Sequence, residues 1–165
     1  MRGIAERFPK VTKLDIDCGV DVISPQQDKR LAACLASPPS EGEQRRRWAT
    51  EEVVLCDWRL VRVAEQVPLL CPQLRKMRVG DNSDGGGSKK GAALAAALEA
   101  LAAVAGTLEE LEVHSQDAFH KPGAAARAAT ALGRLTGLRR LCLDWYNVKP
   151  AGLLQDALAP LTALS

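Results

Sequence analysis

Five short stretches of the chain share one pattern: an apolar residue, an arbitrary one, and a second apolar residue. They are Leu14-Asp15-Ile16, Val53-Val54-Leu55, Met77-Arg78-Val79, Leu111-Glu112-Val113 and Leu141-Cys142-Leu143. In four of them another apolar residue stands three positions earlier, at Val11, Leu74, Leu108 and Leu138; in the second unit Thr50 holds that place. Alternation with period two predicts strands that bury one face. The second apolar position falls at residues 16, 55, 79, 113 and 143, so the units are 39, 24, 34 and 30 residues long.

Between the strands the period changes to that of a helix. Leu94, Leu98, Leu101 and Val104 share one face of a helix predicted over 91–105. Further helices are predicted over 26–36, 60–67, 124–135 and 151–158. Gly19, Pro72, Gly80, Gly106, Gly137 and Pro150 punctuate the units. They argue against a small helical bundle in which the same segments would be amphipathic helix ends. A polar insertion near 37–47 and a flexible Gly-rich loop over 80–90 complete the expected organisation.

Strand, turn, helix and turn at this spacing resembles the leucine-rich-repeat family, in particular its cysteine-containing and ribonuclease-inhibitor-like classes. The family pattern is LxxLxLxxN. Residues 74–82, LRKMRVGDN, match it throughout if Met and Val are allowed, with Asn82 at the asparagine position. Gln116, Tyr146, Gly19 and Trp58 occupy that position in the other units, the second unit departing most. The resemblance runs from about Phe8 to the C-terminus. It implies an α/β solenoid of about five irregular repeats, a partial or truncated array forming one domain over 1–165. Parallel strands would line the concave side and helices the convex side. A single unit cannot bury its apolar stripe, whereas stacked units bury Leu14, Val53, Met77, Leu111 and Leu141 in one column.

Composition narrows the function. A net charge of +2 and 4% aromatic residues supply neither the basic face nor the stacking platform of a nucleic-acid binder. The five cysteines, Cys18, Cys34, Cys56, Cys71 and Cys142, are odd in number and form no CxxC. That speaks against a disulfide framework or structural zinc and for buried thiols in a reducing compartment. No apolar run approaches the roughly 20 residues that span a bilayer, and MRGIAERFPK lacks a signal core. An intracellular protein is expected, cytoplasmic in the first instance, although an organelle is compatible with the same features.

No catalytic, metal or cofactor site is expected. His114 and His120 are at no ligand spacing. Cys142, between Arg140 and Asp144 on one predicted face, reads as a small strand residue. The stretch GDNSDGGGSKKG (80–91) is Gly-rich and opens a helix, but it fails both GxxxxGK[ST] and GxGxxG. Arg45, Arg46 and Arg47 read as a solvated charge run.

Residues flanking the apolar positions should point away from the core. They are Lys13, Asp15 and Asp17; Glu52, Val54 and Cys56; Lys76 and Arg78; Glu110, Glu112 and His114; and Arg140, Cys142 and Asp144. Trp58, Trp145 and Tyr146 fall at the rim. This mixed surface suits a protein partner, since charge complementarity sets register and rejects wrong partners. The expected function is thus a non-enzymatic interaction module or scaffold subunit. One alternative is a structural subunit of a larger, RNA-containing assembly, with Arg45, Arg46, Arg47, Lys89 and Lys90 on phosphate. Another is an adaptor like the substrate receptors of ubiquitin ligases, which carry an F-box ahead of their repeats; only Met1 to Arg7 stand there in this chain. The tail Leu161-Thr162-Ala163-Leu164 repeats the lead-in Leu135-Thr136-Gly137-Leu138. Further repeats, a partner or a second copy are therefore expected to cover the C-terminal end.

Overall fold

The computed structural model describes residues 11–16, 24–35, 48–56, 60–80, 87–114, 122–144, 158–159 and 161. Strands and helices alternate along the chain. They are β1 (Lys13–Ile16), α1 (Pro25–Leu35), β2 (Glu52–Leu55), α2 (Val61–Leu70) and β3 (Lys76–Val79). After these come α3 (Gly87–Ala100) with a 3₁₀ turn (Leu101–Val104), β4 (Glu110–His114), α4 (Pro122–Gly133) and β5 (Arg140–Asp144). The strands form one parallel sheet in the order β1-β2-β3-β4-β5. This is an α/β fold of repeat-like topology.

Register follows the apolar pattern, with Leu14, Val53, Met77, Leu111 and Leu141 side by side. The second unit keeps step with its neighbours despite Thr50. That residue is fully buried, and its hydroxyl donates to the Val11 carbonyl at 2.9 Å. A polar residue at a leucine position is tolerated because its hydrogen bond is made. Val53, Met77 and Leu111 have no exposed surface, whereas Leu14 and Leu141, on the outer strands, are only partly buried. The column expected from the sequence is therefore dry in its middle and open at its two ends.

The core lies between the sheet and a row of helices, α1 against α2, α2 against α3 and α3 against α4. Leu94, Leu98, Leu101 and Val104 are all buried, as their spacing predicts. Helix α1 opens on a reciprocal cap. The Ser24 amide donates to Gln27 Oε1 at 2.7 Å, and the Gln27 amide donates to Ser24 Oγ at 3.2 Å, with Pro25 between them in the first turn. Helix α2 has no cap from its own Leu60; the amide of Val63 donates instead to Asp28 Oδ1 of α1 at 3.4 Å. A buried carboxylate thus serves the N-terminus of the neighbouring helix, where negative charge is favoured.

Helices α1 and α4 start and end one or two residues earlier than expected, and two boundaries differ by more. Helix α2 continues through Pro68 to Leu70, and the Trp48 amide donates to the Leu70 carbonyl at 2.8 Å. The proline costs one backbone bond near the helix end, where orphan carbonyls find other donors. Helix α3 begins at Gly87, so 87–90, expected in the flexible loop 80–90, belong to a helix. Its first turn is polar and carries no apolar periodicity, which is why the pattern alone places the start at 91. The insertion 37–47 and the helix expected at 151–158 lie outside the described residues except for Leu158.

Gly137 sits where two turns touch. Its amide donates to the Ala105 carbonyl at 3.0 Å, and a Cβ there would lie 2.6 Å from that same oxygen.

Candidate functional site

Side chains alternate along each strand, so the residues not buried under the helices form the opposite face of the sheet, which is helix-free among the described residues. Lys13, Asp15, Glu52, Val54, Lys76, Arg78, Glu110, Glu112, His114, Arg140, Cys142 and Asp144 are all exposed or half-buried there, as predicted. Cys56 is half-buried beside them. Asp17, His120, the run Arg45 to Arg47, and the rim residues Trp58, Trp145 and Tyr146 lie outside the described residues. Lys89 and Lys90 fall in the first turn of α3, with side chains outside the description.

The sheet turns this collection into rows. Parallel pairing in register places Lys13, Glu52, Lys76, Glu110 and Arg140 next to one another across five strands. The signs alternate along the row. Lys13 Nζ is 2.9 Å from Glu52, Lys76 Nζ is 3.1 Å from Glu110, and Arg140 is 4.0 Å from the same Glu110 oxygen. One residue earlier stand Glu51, Arg75, Glu109 and Arg139, alternating again. The carbonyls of Glu51, Arg75 and Glu109 each accept two amides from the next unit; the Glu109 oxygen, for example, takes Arg139 at 2.8 Å and Arg140 at 3.0 Å. Arg75 Nη2 donates to both carboxylate oxygens of Glu109 at 3.0 Å. Those hydrogen bonds hold the Glu109 carboxyl below the usual carboxylate range and raise the arginine. The hydrogen bond to Glu52 likewise raises Lys13.

The rows exist because adjacent strands are about 4.8 Å apart. At that separation like charges in register repel and opposite charges attract. The first two rows frame a groove of about 270 Å³ lined by Thr12, Lys13, Glu51, Glu52, Arg75, Lys76, Glu109 and Glu110.

Further along the strands the face is less closely paired. Arg78 lies 3.7 Å from Glu112. His114 stands between two carboxylates, with Nε2 3.8 Å from Glu112 and Nδ1 3.6 Å from Asp144. Its Nε2 is shielded from water and makes no hydrogen bond. Cys142, next to Glu112 in the row of Arg78, is exposed. Val54 supplies an apolar spot between Asp15 and Arg78. Among the described residues no three His, Cys, Asp or Glu side chains group as a metal site.

Cys71, by contrast, is buried behind the sheet; burial pushes its thiol up to about 11, with hydrogen bonding to Thr50 opposing. Cys56, Cys71 and Cys142 are in no disulfide. Among the described residues no helix is long and apolar enough to cross a membrane.

Reading the strands one at a time identifies the members of the face but misses their pairing. The signal is nonetheless in the sequence: Glu51-Glu52, Arg75-Lys76, Glu109-Glu110 and Arg139-Arg140 stand at the starts of successive strands. No protein-family model and no curated protein matches the chain, so what the face can do is argued from its own geometry.

Proposed function

We propose that the chain is a leucine-rich-repeat solenoid that binds a protein partner through its helix-free face, the concave side of the arc, and that it is an interaction module rather than an enzyme. The observation that supports this reading is the face itself. A five-stranded sheet holds it in fixed register, and it mixes four cationic positions (Lys13, Lys76, Arg78, Arg140) with five anionic ones (Asp15, Glu52, Glu110, Glu112, Asp144). A surface for phosphate polymers would be basic throughout. Exposed ion pairs contribute about 0–1 kcal/mol each. A partner of complementary charge can therefore exchange them for its own contacts at little cost, while mismatched charges are rejected.

The test is affinity capture from a cell extract with identification of the bound protein, then titration of that protein against variants. Arg78→Glu and Glu112→Lys on the face should each weaken binding by about tenfold or more, as charge reversal in a complementary interface does. Arg127→Glu, on the helix side, should leave it unchanged. Equal binding by the face variants, or loss only with Arg127→Glu, would contradict the proposal.

A further inference from the structure

The charges of the helix-free face are spaced as regularly as the strands that carry them. Lys13, Glu52, Lys76 and Glu110 stand side by side on β1 to β4, and the sign reverses at each step. Strands in a sheet lie about 4.8 Å apart, so opposite charges recur every ~4.8 Å and like charges every ~9.6 Å. All four side chains reach solvent: Lys13 is 53% exposed, Glu52 31%, Lys76 37% and Glu110 35%. They also keep bonding capacity. Glu52 meets Lys13 through one carboxylate oxygen, and Glu110 meets both Lys76 and Arg140 through a single oxygen. An ammonium has about three N–H donors and a carboxylate about four acceptor positions. A second layer of charge can therefore settle on this row without breaking the pairs within it. In the neighbouring row both carboxylate oxygens of Glu109 are already taken by Arg75.

Given that this face is the binding surface proposed above, we infer that the groove at the strand starts takes an α-helix of the partner protein, laid across the strands. The helix carries acidic, basic, acidic and basic side chains at positions i, i+3, i+7 and i+10. A helix rises about 1.5 Å per residue, which puts these positions at about 0, 4.5, 10.5 and 15 Å. The four strands stand at about 0, 4.8, 9.6 and 14.4 Å, so no charge is out of step by more than about 1 Å. Turning by about 100° per residue keeps the four positions within a sector of about 80°. An extended segment crossing the strands presents a side chain on one side about every 6.7 Å. Its second side chain falls between two strands of opposite sign, so it cannot follow the alternation. A uniformly charged polymer meets repulsion at every second strand. The direction follows too. Carboxylates favour a helix N-terminus and ammonium groups its C-terminus, so the N-terminal end lies over Lys13 of β1.

The test uses the full chain and three labelled peptides on one alanine-rich helical background. The first carries Glu, Lys, Glu and Lys at i, i+3, i+7 and i+10. The second carries Glu, Glu, Lys and Lys at the same positions. The third is the first with a proline at i+5, which breaks the helix. Circular dichroism checks that the first two are equally helical. Fluorescence anisotropy at low salt should show the alternating helix binding at least about tenfold tighter than either of the others. Added salt should shrink the difference. Carboxyl labelling should show it covering Glu52 and Glu110 and leaving Glu65 and Glu99 unprotected. Glu52→Lys combined with Lys76→Glu turns the row into two cations followed by two anions, and this variant should prefer the second peptide by a similar factor. No binding, equal binding of the first two peptides, or binding undiminished by the proline would overturn the proposal. The wild-type comparison decides alone, so a poorly folded double variant would not rescue a negative result. Such a result leaves the binding face standing if the captured partner still responds to Arg78→Glu; a partner indifferent to the face variants removes the ground for both.

Discussion

Leu111→Ala should be one of the most damaging single truncations in the sheet. Leu111 lies between Met77 and Leu141 in the register and has no exposed surface. Removing the equivalent of three buried methylenes forfeits about 2.4 kcal/mol of transfer free energy. The cavity left in a fully packed site raises the total to about 3–4 kcal/mol. For a domain of this length, 1 kcal/mol moves the melting temperature by about 2–4 °C, so a drop of roughly 6–16 °C is expected. Leu141→Ala should cost about half as much, since Leu141 is partly exposed on the outer strand. Glu112→Gln, one residue along from Leu111, should cost about 0.5 kcal/mol or less. Thermal and urea unfolding of the three variants in parallel measure the differences. If Glu112→Gln cost as much as Leu111→Ala, the two faces of β4 would be assigned the wrong way round. If Leu141→Ala cost as much as Leu111→Ala, the column would not be open at its β5 end.

Other substitutions probe the turns and the helix layer. Gly137→Ala places a Cβ about 2.6 Å from the Ala105 carbonyl oxygen, a backbone atom that must move, and should cost about 1–3 kcal/mol; Gly106→Ala, with open space around it, should cost about 1 kcal/mol or less in the same melts. Asp28→Ala removes the acceptor for the Val63 amide and should destabilise by about 1–3 kcal/mol, with urea denaturation as the readout. Cys142 should react with a thiol reagent in the native state and Cys71 only on unfolding, checked by mass spectrometry of labelled peptides. The Cys71 thiol also sets an alkaline limit. Its folded value near 11 exceeds the ordinary 9.0, so the unfolded chain loses this proton first. Stability should therefore be intact below pH 9 and fall between pH 9 and 11, by on the order of 2 kcal/mol. Cys71→Ala should flatten that fall.

The strands and their register were legible in the sequence because a parallel sheet covered on one face alternates strictly. Leu111 and Val113 could hardly point anywhere but inward once Glu110, Glu112 and His114 surrounded them. Helix interiors were legible for the same reason, from the spacing of Leu94, Leu98, Leu101 and Val104. Helix ends were less so. The polar first turn of α3 has no apolar period, and Pro68 suggests a stop that the Trp48 amide makes unnecessary. Contacts between units were hardest to read. That Asp28 serves α2, or that Thr50 is buried and satisfied by Val11, depends on residues 35 and 39 positions apart in sequence. The alternating charge pairs are the exception, since register alone brings them together, and they carry the most information about the surface.

Binding through the helix-free face is tested most directly by carboxyl footprinting. With the captured partner bound, mass spectrometry should show reduced labelling of Glu52, Glu110, Glu112 and Asp144, while Glu65 and Glu99 on the helices label as in the free chain. Protection of Glu65 and Glu99 with unchanged labelling across the sheet would place the interface on the other side of the molecule and contradict the account.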